Sequence, residues 1–478
     1  MTGLFRHRAM CRLLPAIAIG CMLALPARSA TGAATAEFKL GTAAVKITPP
    51  QGTPMAGYYH LRESTGVLDD LYAKAAVMDD GRTRTVMVVC DLIGLPRGVV
   101  VEARRLIAEK TGIPADNVMI SATHTHTAPV IVGESSRDEA ATGGSPLSKD
   151  YAAQLPKWIA QAVEEAHGRT TPAHAAYARE IEAKLSFVRR FWMKDGTVGW
   201  NPGIGKPNTL RPIGNIDPQV SVVYFETPDK RPLLTYVNFA LHLDTTGGTL
   251  ISADYPATLA RLLADYKGPG MLTIFANGAC GNVNHINVNW AAKQSGPAAA
   301  KRIGTILAAD VLQAYMDLQS VEEPTLRARR EVVELQPAPF SDEEQRRAEE
   351  IAALRDPKTP FLDRVKAYRV LDCAARQGKP FDVDVQVFTL GRDIAWVALP
   401  GELFAELGTS IKTASPFPHT IVVELANGRS HYIPHRSAFS EGQYEVVSSR
   451  YAEGAGESLV AVSIRLLEIL HKEALRKP

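Results

Sequence analysis

The sequence predicts a mixed α/β fold, with layered mixed β-sheets flanked by helices in one large domain that carries a helical excursion. Three observations lead there. Apolar runs of strand length alternate with amphipathic segments of helix length, the pattern of packed mixed layers. Of 478 residues, 46% are hydrophobic and 22% charged, a balance that buries a core and excludes disorder as the main state. Beyond the first 29 residues the cysteines are Cys90, Cys280 and Cys373, an odd and widely spaced set that argues against a disulfide framework, so stability rests on the core.

The elements follow in order. Residues 1–29 read as a secretory signal: Arg6, Arg8 and Arg12 precede an apolar stretch over 13–25, and Ala27-Arg28-Ser29 offers a small-residue cleavage site. That stretch is too short for the ~20 apolar residues of a membrane-spanning helix, and no later run is long enough. An exported protein, periplasmic or secreted, is expected, with at most transient contact at a membrane surface. Residues 30–37 are a linker rich in Ala, Thr and Gly. Residues 73–78 and 85–90 are strands joined by the Asp79-Asp80-Gly81 turn, hence a hairpin. Residues 97–111 repeat apolar side chains at helical spacing and stop at Gly112. A short buried strand over 117–122 follows. Then come a helix over 147–167, strands over 220–226 and 233–240, a helix over 256–266, a strand over 272–276 and a helix over 292–313. Residues 322–378 break the rhythm with two charge-rich helices, 342–354 and 361–376, before strands return at 383–390 and 394–398. The span 38–478 is therefore read as one domain with a helical excursion over 322–378. A formal charge of +2 leaves no basic excess for a nucleic-acid partner, and no obligate protein partner is implied.

Chemistry gathers where strands end. His124 and His126, in Thr123-His124-Thr125-His126-Thr127, point to the same side of an extended backbone, so one can bind a metal while the other serves chemistry beside it. The bland reading of this tripeptide is a pair of surface histidines. His242 closes a second apolar run and leads into Asp244-Thr245-Thr246-Gly247-Gly248. Glu402 follows the Pro400-Gly401 turn after a third strand; as the first acid of a helix it also has an ordinary explanation. Two strand-terminal histidine sites in a protein without a cysteine framework suggest a mononuclear zinc centre. The glycine-bearing turn 277–284 lacks the lysine of a phosphate loop, and Cys280 within it reads as a structural cysteine rather than a nucleophile.

Taken in order and at these intervals, the Thr123–Thr127 motif, the strand leading to His242, Leu399-Pro400-Gly401-Glu402 and Gln443-Tyr444-Glu445 resemble the catalytic domain of neutral/alkaline ceramidases. The resemblance extends over most of residues 38–470, including Gly41-Thr42-Ala43, Ile47-Thr48-Pro49 and the segment 69–75, and Arg436 stands eight residues before Tyr444 as in the family. It implies a layered α/β catalytic domain and one Zn2+ per chain, held by His124, His242, Glu402 and Tyr444. His126 would stand beside the metal as proton carrier, and an N-acyl compound, small or lipidic, would be the substrate. A tyrosine ligand must lose its proton, and zinc supplies the driving force; a hydrogen-bonded structural Tyr444 is the other reading.

Three departures stand out. Asn284 occupies the place of the family's serine, in Gly281-Asn282-Val283-Asn284-His285. The family's C-terminal immunoglobulin-like domain is expected to be missing, and Phe191-Trp192-Met193 with Trp200 makes a middle loop bulky. The expectation is an exported zinc-dependent amide hydrolase whose specificity Asn284 redirects; the alternative is a non-catalytic metal-binding relative acting as a binding protein.

Overall fold

Period-two alternation builds the first sheet. The computed structural model describes residues 37–476 except 134, 355 and 357, so the expected leader and residues 30–36 of the linker lie outside the described residues. From Glu37 onward the chain groups as one compact unit. Strands β1 (Lys39–Lys46), β2 (Tyr72–Asp79) and β3 (Arg84–Cys90) are antiparallel neighbours, and β3 pairs in parallel with β4 (Val118–Ala122). The expected hairpin is present, its turn held by Asp79 and Asp80 accepting hydrogen bonds from the backbone of Gly81, Arg82 and Thr83. Along β3, Val86, Val88 and Cys90 enter one core while Met87 and Val89 enter another. Both faces are buried, which is why the run reads as almost continuously apolar. The first face is covered by α1 (Arg97–Thr111) and α2 (Pro146–His167). Helix α1 has its expected bounds and stops at Gly112, whose φ of 70° is left-handed.

A second sheet contains β5 (His174–Ile181), β6 (Gln219–Glu226), β7 (Pro232–Phe239) and β8 (Leu272–Asn277), the last pair parallel. Helices α3 (Tyr255–Lys267) and α4 (Pro297–Ala314) cover its outer face. Helix α4 starts five residues later than expected, because Gly296 (φ 100°) turns the chain and Pro297 opens the helix. A third sheet holds β9 (Leu326–Leu335), then, beyond the paired helices α5 (Asp342–Leu354) and α6 (Phe361–Ala374), β10 (Phe381–Leu390), β11 (Ile394–Ala398) and β12 (His419–Val423). Helix α7 (Ala405–Ala414) and the terminal helix α9 (Ala455–Leu475), which follows the short α8 (Gln443–Ser448), pack on its outer face.

The inner faces of all three sheets share one core, joining Met87, Met119, Phe225, Tyr236, Phe388 and Trp396 among others. The mixed α/β expectation is therefore borne out. One boundary is corrected: β9 lies inside the span expected to be a helical excursion, so the helical part is confined to α5 and α6. Strand β9 pairs with β10 along ten residues, but most of its side chains are partly or fully exposed, Arg329 and Glu334 among them, so its composition hides its role. Helix α9 was not anticipated. Cys90, Cys280 and Cys373 are all free and buried.

Candidate metal centre

The carboxyl ends of β4, β7, β11 and β12 meet at one edge of the molecule. His124 stands two residues past β4 with φ 79°, a strained position for a side-chain-bearing residue, held by its own N–H on Leu92 O (2.8 Å) and that of Thr123 on Cys90 O (2.9 Å). His242 stands three residues past β7, and Glu402 four past β11. Their donor atoms converge: His124 Nε2 lies 3.2 Å from His242 Nε2 and 3.3 Å from Glu402 Oε2, and His242 Nε2 lies 3.4 Å from the same oxygen.

Tautomers explain what such a cluster wants. His124 Nδ1 donates to Ile93 O at 2.8 Å and His242 Nδ1 to Cys280 O at 3.1 Å, so each Nε2 is left with a lone pair, aimed at the other and at a carboxylate. Three electron-rich atoms repel one another unless a cation lies among them. Tetrahedral zinc ligands at about 2.0–2.1 Å from the metal lie roughly 3.3 Å apart, which matches this spacing. Electrostatics divide the two histidines. Burial opposes charge on His124, yet Glu402 raises it above the ordinary histidine value, while burial and Arg189 push His242 down to about 3. Burial favours a neutral Glu402, but the two histidines hold it well below the usual carboxylate range. Glu402 Oε2 is buried without a hydrogen-bond partner. A metal requires two neutral imidazoles and an ionised carboxylate: His242 and Glu402 are already biased to those states, and the proton that Glu402 draws to His124 is one a bound cation would displace.

His126 is close but differently held. Its Nε2 is 3.4 Å from His124 Nε2, and the three histidines could together hold an ion; however, its Nδ1 has no hydrogen-bond partner, so nothing fixes its tautomer. Burial and the neighbouring imidazoles lower it well below the usual histidine value, and the Asp244 carboxylate lies 3.8 Å from Nδ1.

The tyrosine nearest the cluster differs from the one expected. Tyr432 is the register partner of Glu402 in a short parallel pair, and its hydroxyl lies 3.5 Å from His242 Nε2. Tyr444 lies one ring further out, 5.2 Å from the Tyr432 ring between centroids, packed with Trp200, Phe361 and Tyr59. The cause is tertiary: β-pairing places residue 432, not 444, alongside Glu402. Asn284 is likewise not at the donor atoms among the described contacts. Its amide donates to Asn201 Oδ1 (2.9 Å) and accepts from Ile286 N (3.0 Å), which makes it a brace of the neighbouring loop.

Sequence reasoning also missed Arg189 and Glu424. Arg189 reaches His242 Nε2 (3.4 Å), Glu445 (2.8 Å) and Gly281 O (2.6 Å); its only sequence signal is a pair of arginines inside the apolar run 185–193. Glu424, just past β12, accepts from Cys280 N, Cys280 Sγ and Leu403 N, and burial pushes its carboxyl up to about 8. Cys280 is thus a structural thiol that burial raises well above its usual value, which removes it as a nucleophile.

Known proteins give a consistent picture. Residues 38–190 match the family model described as neutral/alkaline non-lysosomal ceramidase, N-terminal. No curated protein matches the chain by sequence. Among solved structures, neutral ceramidase from Pseudomonas aeruginosa is similar with a TM-score of 0.72 at 20% identity, over 91% of this chain and 75% of that one. A ceramidase complexed with C2 is similar with a TM-score of 0.71 at 18% identity, over 91% and 76%.

Proposed function

We propose, from the match of residues 38–190 to the neutral/alkaline non-lysosomal ceramidase model, that this chain is an exported, zinc-dependent hydrolase of a C–N amide bond. The observation that carries the reading is the convergence of His124 Nε2, His242 Nε2 and Glu402 Oε2 within 3.2–3.4 Å, with both imidazoles locked in the metal-binding tautomer. These three would hold one zinc ion per chain, with Tyr432 as the fourth donor in place of Tyr444. A zinc ion bound there supplies an activated water and polarises the amide carbonyl.

The chain's own groups do the rest. His126, kept neutral by burial, accepts a proton at Nε2 as water adds to the carbonyl carbon and returns it to the amine nitrogen as the C–N bond breaks. Asp244, 3.8 Å from Nδ1, stabilises the imidazolium in between. Arg189 holds its guanidinium 3.4 Å from His242 Nε2 and is itself clamped by the buried Glu445, so it is positioned to steady the carbonyl oxygen. The wall of Tyr59, Trp200, Phe361 and Tyr444 offers an apolar seat for the acyl chain. Among the described residues no helix is long and apolar enough to cross a membrane, and export rests on the leader sequence.

Elemental analysis of the purified mature protein, with turnover of an N-acyl panel that includes ceramide, tests the reading. About one zinc per chain is expected, with metal and activity both lost in His124→Ala and His242→Ala. His126→Ala should keep most of the metal and lose roughly 10² to 10⁴ in rate. Folded, active protein containing no metal would overturn it.

A further inference from the structure

One cavity lies a single residue beyond Asn284. His285 is only 8% exposed, and both of its ring nitrogens are buried without a hydrogen-bond partner. Buried polar groups are nearly always paired, so an imidazole that makes no well-formed hydrogen bond, with only the Gln294 backbone acting on it, points to a ligand. The ring lines a cavity of about 350 Å³, within the roughly 300–1,000 Å³ range of small-molecule sites.

Charge identifies the ligand. Lys184, Lys293 and Arg302 line this cavity, no aspartate or glutamate does, and none of the three cations is in a salt bridge among the described residues. Arg302 lies over the Trp290 ring at 4.8 Å, which holds its guanidinium at the rim. The late start of α4 adds a further positive feature: Ala298 and Ala299, in its first turn, line the cavity, so the positive end of an 18-residue helix faces it. The two carboxylates near His285 are already engaged. Asp254 accepts from the backbone N–H groups of Thr245, Thr246 and Tyr255, and Asp244 accepts from the Tyr58 hydroxyl.

The cavity is tied to the metal centre by chain connectivity. Phe187, in its lining, is the register partner of Asn284, and two residues on Arg189 touches His242. Asp244 lies between the two regions, 3.8 Å from His126 Nδ1 and close enough to act on the charge of His285. We infer that this cavity is a subsite for an anionic group, such as a phosphate, sulfate or carboxylate, carried on the amine half of an N-acyl substrate. The inference rests on the amide-hydrolase reading, in which the acyl chain takes the aromatic wall and the amine departs beside His126. It names the substrate class: acylated amines with a negatively charged head.

A matched pair tests it, N-dodecanoylethanolamine and its O-phosphate, which differ only in the anionic group. Wild-type protein should turn over the phosphate with a kcat/KM at least tenfold higher, and Lys184→Ala/Lys293→Ala/Arg302→Ala should bring that ratio near one. Inorganic phosphate, at constant ionic strength, should raise KM for the phosphorylated substrate by competition. Equal turnover of the pair by wild type, or a ratio unchanged in the triple variant, would overturn the subsite. So would inorganic phosphate acting on both substrates without competition, since the cavity would then take a free anion as an effector. If neither amide is cleaved, the amide-hydrolase reading itself falls, and the cavity is decided by binding. A rise in Tm with inorganic phosphate that the triple variant loses would uphold the anion site, and no rise in wild type would overturn it.

Discussion

At the scale of single residues, the centre depends on which nitrogen of each histidine is free. Ile93 O and Cys280 O take the Nδ1 protons of His124 and His242, so a strand-end carbonyl determines the ligand atom of a residue far away in sequence. The same scale separates Tyr432 from Tyr444. A hydroxyl 3.5 Å from His242 Nε2 can be a donor to the same ion, whereas a ring packed among Trp200, Phe361 and Tyr59 offers surface. Loss of groups that merely support metal ligands costs roughly 10 to 100-fold in metal affinity. Tyr432→Phe is therefore expected to weaken zinc binding by at least that factor, while Tyr444→Phe keeps the metal and changes KM. Competition with a chromogenic chelator measures both; zinc affinity unchanged in Tyr432→Phe and lost in Tyr444→Phe would restore the original assignment.

At the scale of elements, helix α4 shows how packing shifts a titration. Asp310 lies on this helix against β5, where burial, then Glu182 and Glu180, raise its carboxyl to about 6. A folded-state value above the ordinary one of about 3.8 means that the native state holds the proton more tightly than the unfolded chain. Stability from this group is full below about pH 4 and is lost as pH rises toward 6. Asp310→Asn should then raise Tm at pH 7 to 8, and its advantage should close below pH 4. A thermal melt series across pH 3.5–8 checks this, and a constant offset at every pH would contradict it. The start of α4 is set by Gly296-Pro297, which turn the chain and open the helix, and not by the Ala292-Lys293-Gln294-Ser295 stretch before them. Strand β9 is hidden by its composition: most of its residues are partly exposed, and five charged residues in ten conceal a strand that pairs along its whole length.

At the scale of the whole molecule, one buried carboxylate joins the first sheet's helix to the third sheet. Asp384 on β10 is fully buried and meets Arg104 (2.7 Å) and Arg97 (2.9 Å) from α1 and Arg330 (3.1 Å) from β9. Arg104 also donates to Val118 O, the first residue of the strand that carries His124. Removing one partner of a buried pair leaves an uncompensated charge, at a cost of about 3–5 kcal/mol. Asp384→Ala is expected to lose that much stability in urea unfolding, and a loss under 1 kcal/mol would show that water reaches the arginines.

By itself the sequence determined the local elements and the chemical inventory: the β2–β3 hairpin, the bounds of α1, and the histidines and glutamate waiting at strand ends. Those follow from periodicity, turn residues and composition, which act within a few residues. Only the tertiary structure decided which donors meet. Tyr432 reaches the centre through its register with Glu402, Arg189 through its clamp on Glu445, and Asn284 leaves it because Asn201 takes its amide. Each of these contacts joins residues tens to hundreds of positions apart, and it forms only when the ends of strands from three sheets are brought to one edge by a shared core.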